Sequence, residues 1–304
     1  MYLAHFGLTQ APFGITPNPA FFYAGNTRGA LLGALLYAVT RGEGILKVSG
    51  EVGSGKTMLC RMLERQLPPQ VDVIYLVHPS LGPQDVVYAI AGELGLPLAG
   101  KRGVEVLRLL HADLIARHAA GRQVVLLVEE AQAMPLATLE QIRLLTNLET
   151  AQHKLLQIVL FGQPELDASL NLPALRQLKE RITHSFTVPA MAPDLLGEFL
   201  AFRLHAAGYR GAPLFGPDAL RPIARVSQGS VRRINILADK ALLAAFTDDA
   251  TAVTARHVRA AIRDSAFSPV HPGRRRVLVA AGALLGVLLA GVAWLLWRHG
   301  QAAF

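Results

Sequence analysis

Eight residues, Gly50-Glu51-Val52-Gly53-Ser54-Gly55-Lys56-Thr57, directly follow a short apolar run and open a stretch of helical periodicity. Glycines at this spacing let successive main-chain N–H groups turn toward one centre, and the start of a helix adds partial positive charge there. Such a cradle accepts phosphate oxygens: Lys56 would reach the β- and γ-phosphates of a nucleotide and Thr57 would ligate Mg²⁺. ATP and Mg²⁺ are therefore the expected ligands, held by Gly50, Glu51, Val52, Gly53, Ser54, Gly55, Lys56 and Thr57.

A second constellation lies further along. Val124-Val125-Leu126-Leu127-Val128 is a run without polar alternation, as in a strand buried on both faces, and it delivers Glu129 and Glu130 at its C-terminal end. Ligands of α/β sheets sit at that end. In phosphoryl-transfer sites of this type an aspartate holds the metal shell and the next carboxylate orients the attacking water. Glu129 stands where the aspartate is usual, as metal ligand, and Glu130 stands as the water-orienting base. The extra methylene of Glu129 predicts looser metal contact and slower turnover.

Three further polar residues suit such a site. Gln163 ends the fourth apolar run, where its amide could meet the γ-phosphate or the water. Arg181, with Arg176 and Lys179, precedes the fifth run; the trio reads either as a solvated face or, for Arg181, as an arginine lent to a neighbouring subunit's transition state. Arg232, in Gly229-Ser230-Val231-Arg232-Arg233, opens a later helix and could report nucleotide state. Other chemistries find little support. The histidines show no H-E-x-x-H, His111 and His118 read as a half-exposed helix face, and Cys60 reads as a small packed residue inside the helix that follows the glycine loop.

These residues need a scaffold. Five short apolar runs, 44–49, 71–78, 124–128, 155–161 and 184–188, alternate with helical stretches at 57–66, 84–94, 104–119, 138–148 and 174–183. That alternation predicts an α/β fold of the P-loop NTPase type, a five-stranded parallel sheet covered on both faces. After Pro193 the pattern is purely helical (195–207, 218–227, 231–246 and 254–266), which predicts a small helical lid. The expected organisation is an N-terminal arm and helix at 1–40, a nucleotide-binding domain at 41–192, the lid at 193–266, a linker at 267–276, a transmembrane helix at 277–297 and a short tail at 298–304.

Charge bears on partners. The chain carries +8, which first suggests nucleic acid, but residues 1–264 hold only +4 of it, with 26 basic against 22 acidic side chains. Arg274, Arg275, Arg276 and Arg298 supply the rest around 277–297, an uncharged stretch of 21 residues, about the length that spans a bilayer. Basic residues on its N-terminal side predict a single-pass membrane protein with its body in the cytoplasm and its tail on the other side; the resemblance given below makes these the bacterial inner membrane and the periplasm. A single cysteine rules out an internal disulfide and fits a reducing compartment.

With these residues in place the sequence resembles the AAA+ ATPases of the ExeA/GspA group, and looks especially like the branch that serves the mannose-sensitive haemagglutinin (MSHA) pilus. The likeness covers residues 1 to about 266. It rests on Met1-Tyr2-Leu3 with His5-Phe6-Gly7-Leu8, on 50–57, on Glu130-Ala131-Gln132, on Leu145-Thr146-Asn147-Leu148-Glu149-Thr150, on Phe161-Gly162-Gln163-Pro164-Glu165-Leu166 and on Arg181-Ile182. The resemblance implies a homo-oligomeric ATPase that assists pilus or type II secretion assembly at the inner membrane. It also implies Gln163 as first sensor, Arg181 as finger, Arg232 as second sensor, and an arm near Phe13 and Pro17 that covers the adenine. Two alternatives remain open: a DNA-acting ATPase, motivated by the basic 200–264 region, and a nucleotide-gated scaffold with weak hydrolysis, motivated by Glu129.

Overall fold

The computed structural model describes residues 2–42 and 44–267. The described residues up to Asp264 form one compact unit; a second unit begins at Ser265 and is described only to Phe267. The five apolar runs become strands β1 (Ile45–Ser49), β2 (Val71–Leu76), β3 (Gln123–Val128), β4 (Leu156–Gly162) and β5 (Ile182–Thr187). All pair in parallel, in the order β2-β3-β4-β1-β5. The chain leaves β1 for the far edge, returns through β3 and β4, and crosses to β5. Its glycine loop therefore leaves the sheet at the switch point where α/β folds gather ligands.

The twelve α-helices among the described residues are α1 (Tyr2–His5), α2 (Arg28–Arg41), α3 (Lys56–Gln66), α4 (Pro83–Glu93), α5 (Gly103–Ala119), α6 (Leu136–Leu145), α7 (Pro164–Leu170), α8 (Arg176–Glu180), α9 (Leu196–Ala206), α10 (Pro217–Ser227), α11 (Val231–Thr247) and α12 (Ala255–Arg263). Strand side chains alternate between faces even where every residue is apolar. Val125 and Leu127 join Leu32 and Leu35 of α2 and Leu59 and Leu63 of α3 in one core layer. Val124, Leu126 and Val128 join Ile90 of α4, Leu110 of α5 and Ile142 of α6 in the other. The middle of β3 is thus buried on both sides, as its composition demands.

Two expected boundaries move. The helix expected at 174–183 shrinks to α8 after a 3-10 turn at Pro173–Leu175, because β5 already begins at Ile182. There Ile182 pairs with Ile45 across a register irregularity. β5 is an edge strand with half-buried and exposed residues in alternation, so its apolar signal is weaker than that of the central strands. The helix expected at 138–148 ends at Leu145, where the Thr146 hydroxyl donates to Arg143 O at 2.6 Å and competes with the helical ladder.

The expected transmembrane helix, and the single-pass inner-membrane placement built on it, are corrected. Among the described residues no helix is long and apolar enough to cross a membrane. The stretch at 277–297 that prompted the expectation lies outside the described residues. Its composition was a statement about hydropathy and flanking charge, and the fold that stands is the P-loop α/β sheet with its helical cap.

Leu127 is fully buried between the layers. Leu127→Ala is expected to cost about 2–5 kcal/mol of stability, read as a lower midpoint in urea denaturation at unchanged slope.

Candidate functional site: a phosphate-binding cleft

The glycine loop is set between β1 and α3 and faces the helical cap. Gly53 has φ +76°, the left-handed region that favours glycine. A Cβ there would lie 2.5 Å from Ser230 Oγ and 2.8 Å from Arg232 Cβ. The start of α11 sits on the loop: Arg232 N donates to Gly53 O at 3.2 Å and Ser230 Oγ to Val52 O at 3.3 Å. A cleft of about 340 Å³ opens beside it, lined by residues 52–59, Gly14–Pro17 and Phe21–Tyr23 of the arm, Arg28, Glu130, Gln163, Phe199, Arg203, Arg232 and Asn235 among others.

Two cations lie close to the loop. Lys56 is buried, and its Nζ donates to Gly50 O at 2.7 Å and Glu51 O at 3.0 Å. Burial lowers its pKa, while Glu130, Glu51, Glu129 and Glu165 act in the other direction. Arg28, at the first turn of α2, is the second. Its Nη2 donates to Ser54 O and Pro189 O, each at 3.1 Å, and its Nη1 is buried with no hydrogen-bond partner among the described residues. Burial lowers its pKa too. A desolvated cation with a spare donor beside main-chain amides suits an anionic ligand.

The carboxylates diverge at the end of β3. Glu129 follows the parity of Leu127 toward α3, where it meets Tyr75 and Cys60. Burial first, then Glu129, push the Tyr75 phenol and the Cys60 thiol up. Glu130 adopts the left-handed conformation, φ +51° and ψ +38°, uncommon for a non-glycine residue and frequent at functional sites. That turn brings its Oε2 to Gln163 Nε2 at 3.0 Å and Gln132 Nε2 at 2.6 Å. Thr57 and Glu130 offer hard oxygen donors in the cleft, the kind Mg²⁺ prefers, and Glu129 stands on the α3 side of it. With Lys56 and the spare donor of Arg28, the residues present fit a magnesium nucleotide.

Of the residues singled out from sequence, Val52, Gly53, Ser54, Gly55, Lys56, Thr57, Glu130, Gln163 and Arg232 line this one cleft. Gly50 and Glu51 stand behind it as acceptors for Lys56. Glu129 lies on the α3 side and is not among the lining residues. Arg181 is placed elsewhere, its Nη1 donating to Thr146 Oγ1 at 2.9 Å. Pro17 lines the cleft, whereas Phe13 is buried edge-on against Phe215 at 5.9 Å. Sequence reasoning missed Arg28, Gln132 and Arg203. Arg203 holds the arm, donating to Pro12 O at 2.7 Å and Gly14 O at 3.1 Å and stacking over Phe21 at 4.6 Å. The only signal for Arg28 was a lone arginine at the head of an apolar helix, which composition cannot tell from a solvated one.

Comparison with known proteins follows the same lines. Residues 39–170 match the AAA domain family. General secretion pathway protein A of Aeromonas hydrophila is 39% identical over 300 residues, taking in 98% of this chain and 54% of that protein. The chain thus carries an AAA domain and is similar in sequence to this secretion-pathway protein. It spans about half the length of that relative. Among solved structures, the Aeropyrum pernix ORC2 protein (ADPNP-ADP complexes) matches with a TM-score of 0.63 at 16% identity, over 85% of this chain and 74% of its own. Cdc6p from Pyrobaculum aerophilum matches at 0.62 and 18%, over 81% and 70%. The Thermotoga maritima RuvB Holliday junction branch migration motor matches at 0.55 and 17%, over 84% and 73%. At such identities the likeness establishes the AAA fold alone.

The contact between the AAA glycine loop and α11 is open to test. Gly53→Ala forces an L-residue into the left-handed region, at about 1–2 kcal/mol, and drives a methyl into Ser230 and Arg232. ATP binding measured by calorimetry is expected to weaken by about tenfold.

Proposed function

We propose that this chain is a Mg²⁺-dependent ATPase that works in an oligomer to assist assembly of a secretion apparatus. The observation that carries the proposal is the convergence of Lys56, Thr57, Glu130, Gln163 and Arg232 on one cleft at the switch point of the sheet. The matching AAA domain and the 39% identical secretion-pathway relative support it.

In this reading the main-chain amides of 52–57 and the Lys56 ammonium bind the β- and γ-phosphates. Mg²⁺, when bound through Thr57 and Glu129, offsets charge on the phosphate oxygens. Glu130 orients the attacking water, and Gln163 touches it or the γ-phosphate. Arg232, fixed to the loop through Gly53, tells the helical cap at 193–266 whether nucleotide is present. Arg181 lies away from its own chain's cleft and serves the site of a neighbouring subunit in a homo-oligomeric ring. Gly14–Pro17 cover the base. Within secretion machinery the setting is a type II system or an MSHA-type pilus, the branch that the sequence motifs of 1–266 most resemble. The relative's name supports secretion in general, and the motifs support the pilus.

Lys56→Ala is expected to abolish ATP binding in calorimetry. Glu130→Gln is expected to keep binding and to lower turnover by about 100-fold or more, the usual contribution of a positioned base. Wild-type turnover unaffected by both changes would overturn the proposal. Glu129→Asp separates a motor from a nucleotide-gated scaffold: a rise in turnover marks Glu129 as the brake on hydrolysis, and unchanged turnover marks it as neutral.

A further inference from the structure

Two residues beyond Glu130, the side chain of Gln132 closes a ring of hydrogen bonds with Glu130 and Gln163. Its Oε1 accepts from the main-chain N–H of Gln163 at 2.9 Å. A main-chain N–H can only donate, so this contact fixes the amide orientation and leaves Nε2 facing Glu130, where it donates to Oε2 at 2.6 Å. The side chain of Gln163 donates to the same oxygen at 3.0 Å. A Cβ at Gly162 would stand 3.3 Å from Gln132 Oε1, a tight contact, and 2.7 Å from Leu166 Cδ2.

A carboxylate oxygen has two lone-pair directions in its plane. Both amides converge on Oε2, so that oxygen is fully used and Oε1 is the one left to accept from water. We propose that Gln132 is a positioning residue for ATP hydrolysis: by occupying Oε2 together with Gln163 it holds the Glu130 carboxylate so that Oε1 orients the attacking water. The ring also ties Glu130 to the end of β4, so a shift of Gln163 on meeting the γ-phosphate reaches the water-orienting oxygen through two hydrogen bonds. The inference rests on the ATPase proposed above, and extends it to a residue outside the cleft lining.

The test uses the full chain with Gln132→Glu and Gln132→Met. Gln132→Glu keeps the shape and the acceptor for Gln163 N–H but sets a carboxylate against Glu130; Gln132→Met removes both hydrogen bonds at similar volume. Misplacing a catalytic group is expected to lower kcat by about 10- to 100-fold in both variants, with KM for ATP and affinity for ADP within about twofold of wild type. Affinity for ADP with aluminium fluoride, which mimics the transferring phosphoryl group, is expected to fall with kcat. A residue needed only for folding would lower the melting temperature and ADP affinity together, and that result overturns the proposal. So does unchanged kcat in both variants. If the wild-type protein binds nucleotide without turnover, hydrolysis itself fails, and the aluminium fluoride comparison still decides: equal affinity in wild type and Gln132→Glu rules the role out.

Discussion

Between β1 and α3 the chain has room for main chain and little else, and the rest of the site is arranged around that restriction. The loop leaves a strand buried on both sides, starts a helix whose first residue is Lys56, and is roofed by the opening residues of α11 at Gly53. At Gly53 a side chain would meet Ser230 and Arg232, so the close seat of α11 on the loop depends on glycine there. Every other functional group is held at a distance measured from this loop: Glu130 and Gln163 by neighbouring strand ends, Arg232 by its own main-chain bond to Gly53, and the arm by Arg203.

The electrostatics follow from burial. Lys56 and Arg28 are desolvated beside carbonyl oxygens, an arrangement that hydrogen bonds satisfy in part and that an anion would satisfy better. The two acids at the end of β3 are separated by backbone conformation. Parity sends Glu129 toward Tyr75, and the left-handed turn at Glu130 sends the second carboxylate toward two amides. Adjacent identical residues thereby gain different surroundings.

The AAA fold is shared with the ORC2, Cdc6p and RuvB structures at 16–18% identity, and the sequence is 39% identical to a general secretion pathway protein. In this chain the sheet order places the glycine loop at the switch point, where α/β folds gather ligands. The basic excess of 200–264 resides in the helical region beside the cleft, where Arg203 and Arg232 have local tasks. Part of that charge is thus accounted for without nucleic acid.

The glycine loop, the Glu129-Glu130 pair, Gln163 and the parallel α/β plan were legible in the sequence, because each is a local pattern: spacing of small residues, a run of buried aliphatics, a polar residue at a strand end. The edge strand β5 and the short α8 were misjudged where half-burial weakens such patterns. For residues 277–297, hydropathy and flanking charge prompted a membrane helix, and among the described residues no helix is long and apolar enough to cross a membrane. Which of two adjacent glutamates faces the cleft, that Gln132 locks Glu130, and that Arg28 is buried beside Ser54 were decided only by tertiary structure. Each depends on contacts between segments far apart in the chain, whose distances no local spacing encodes.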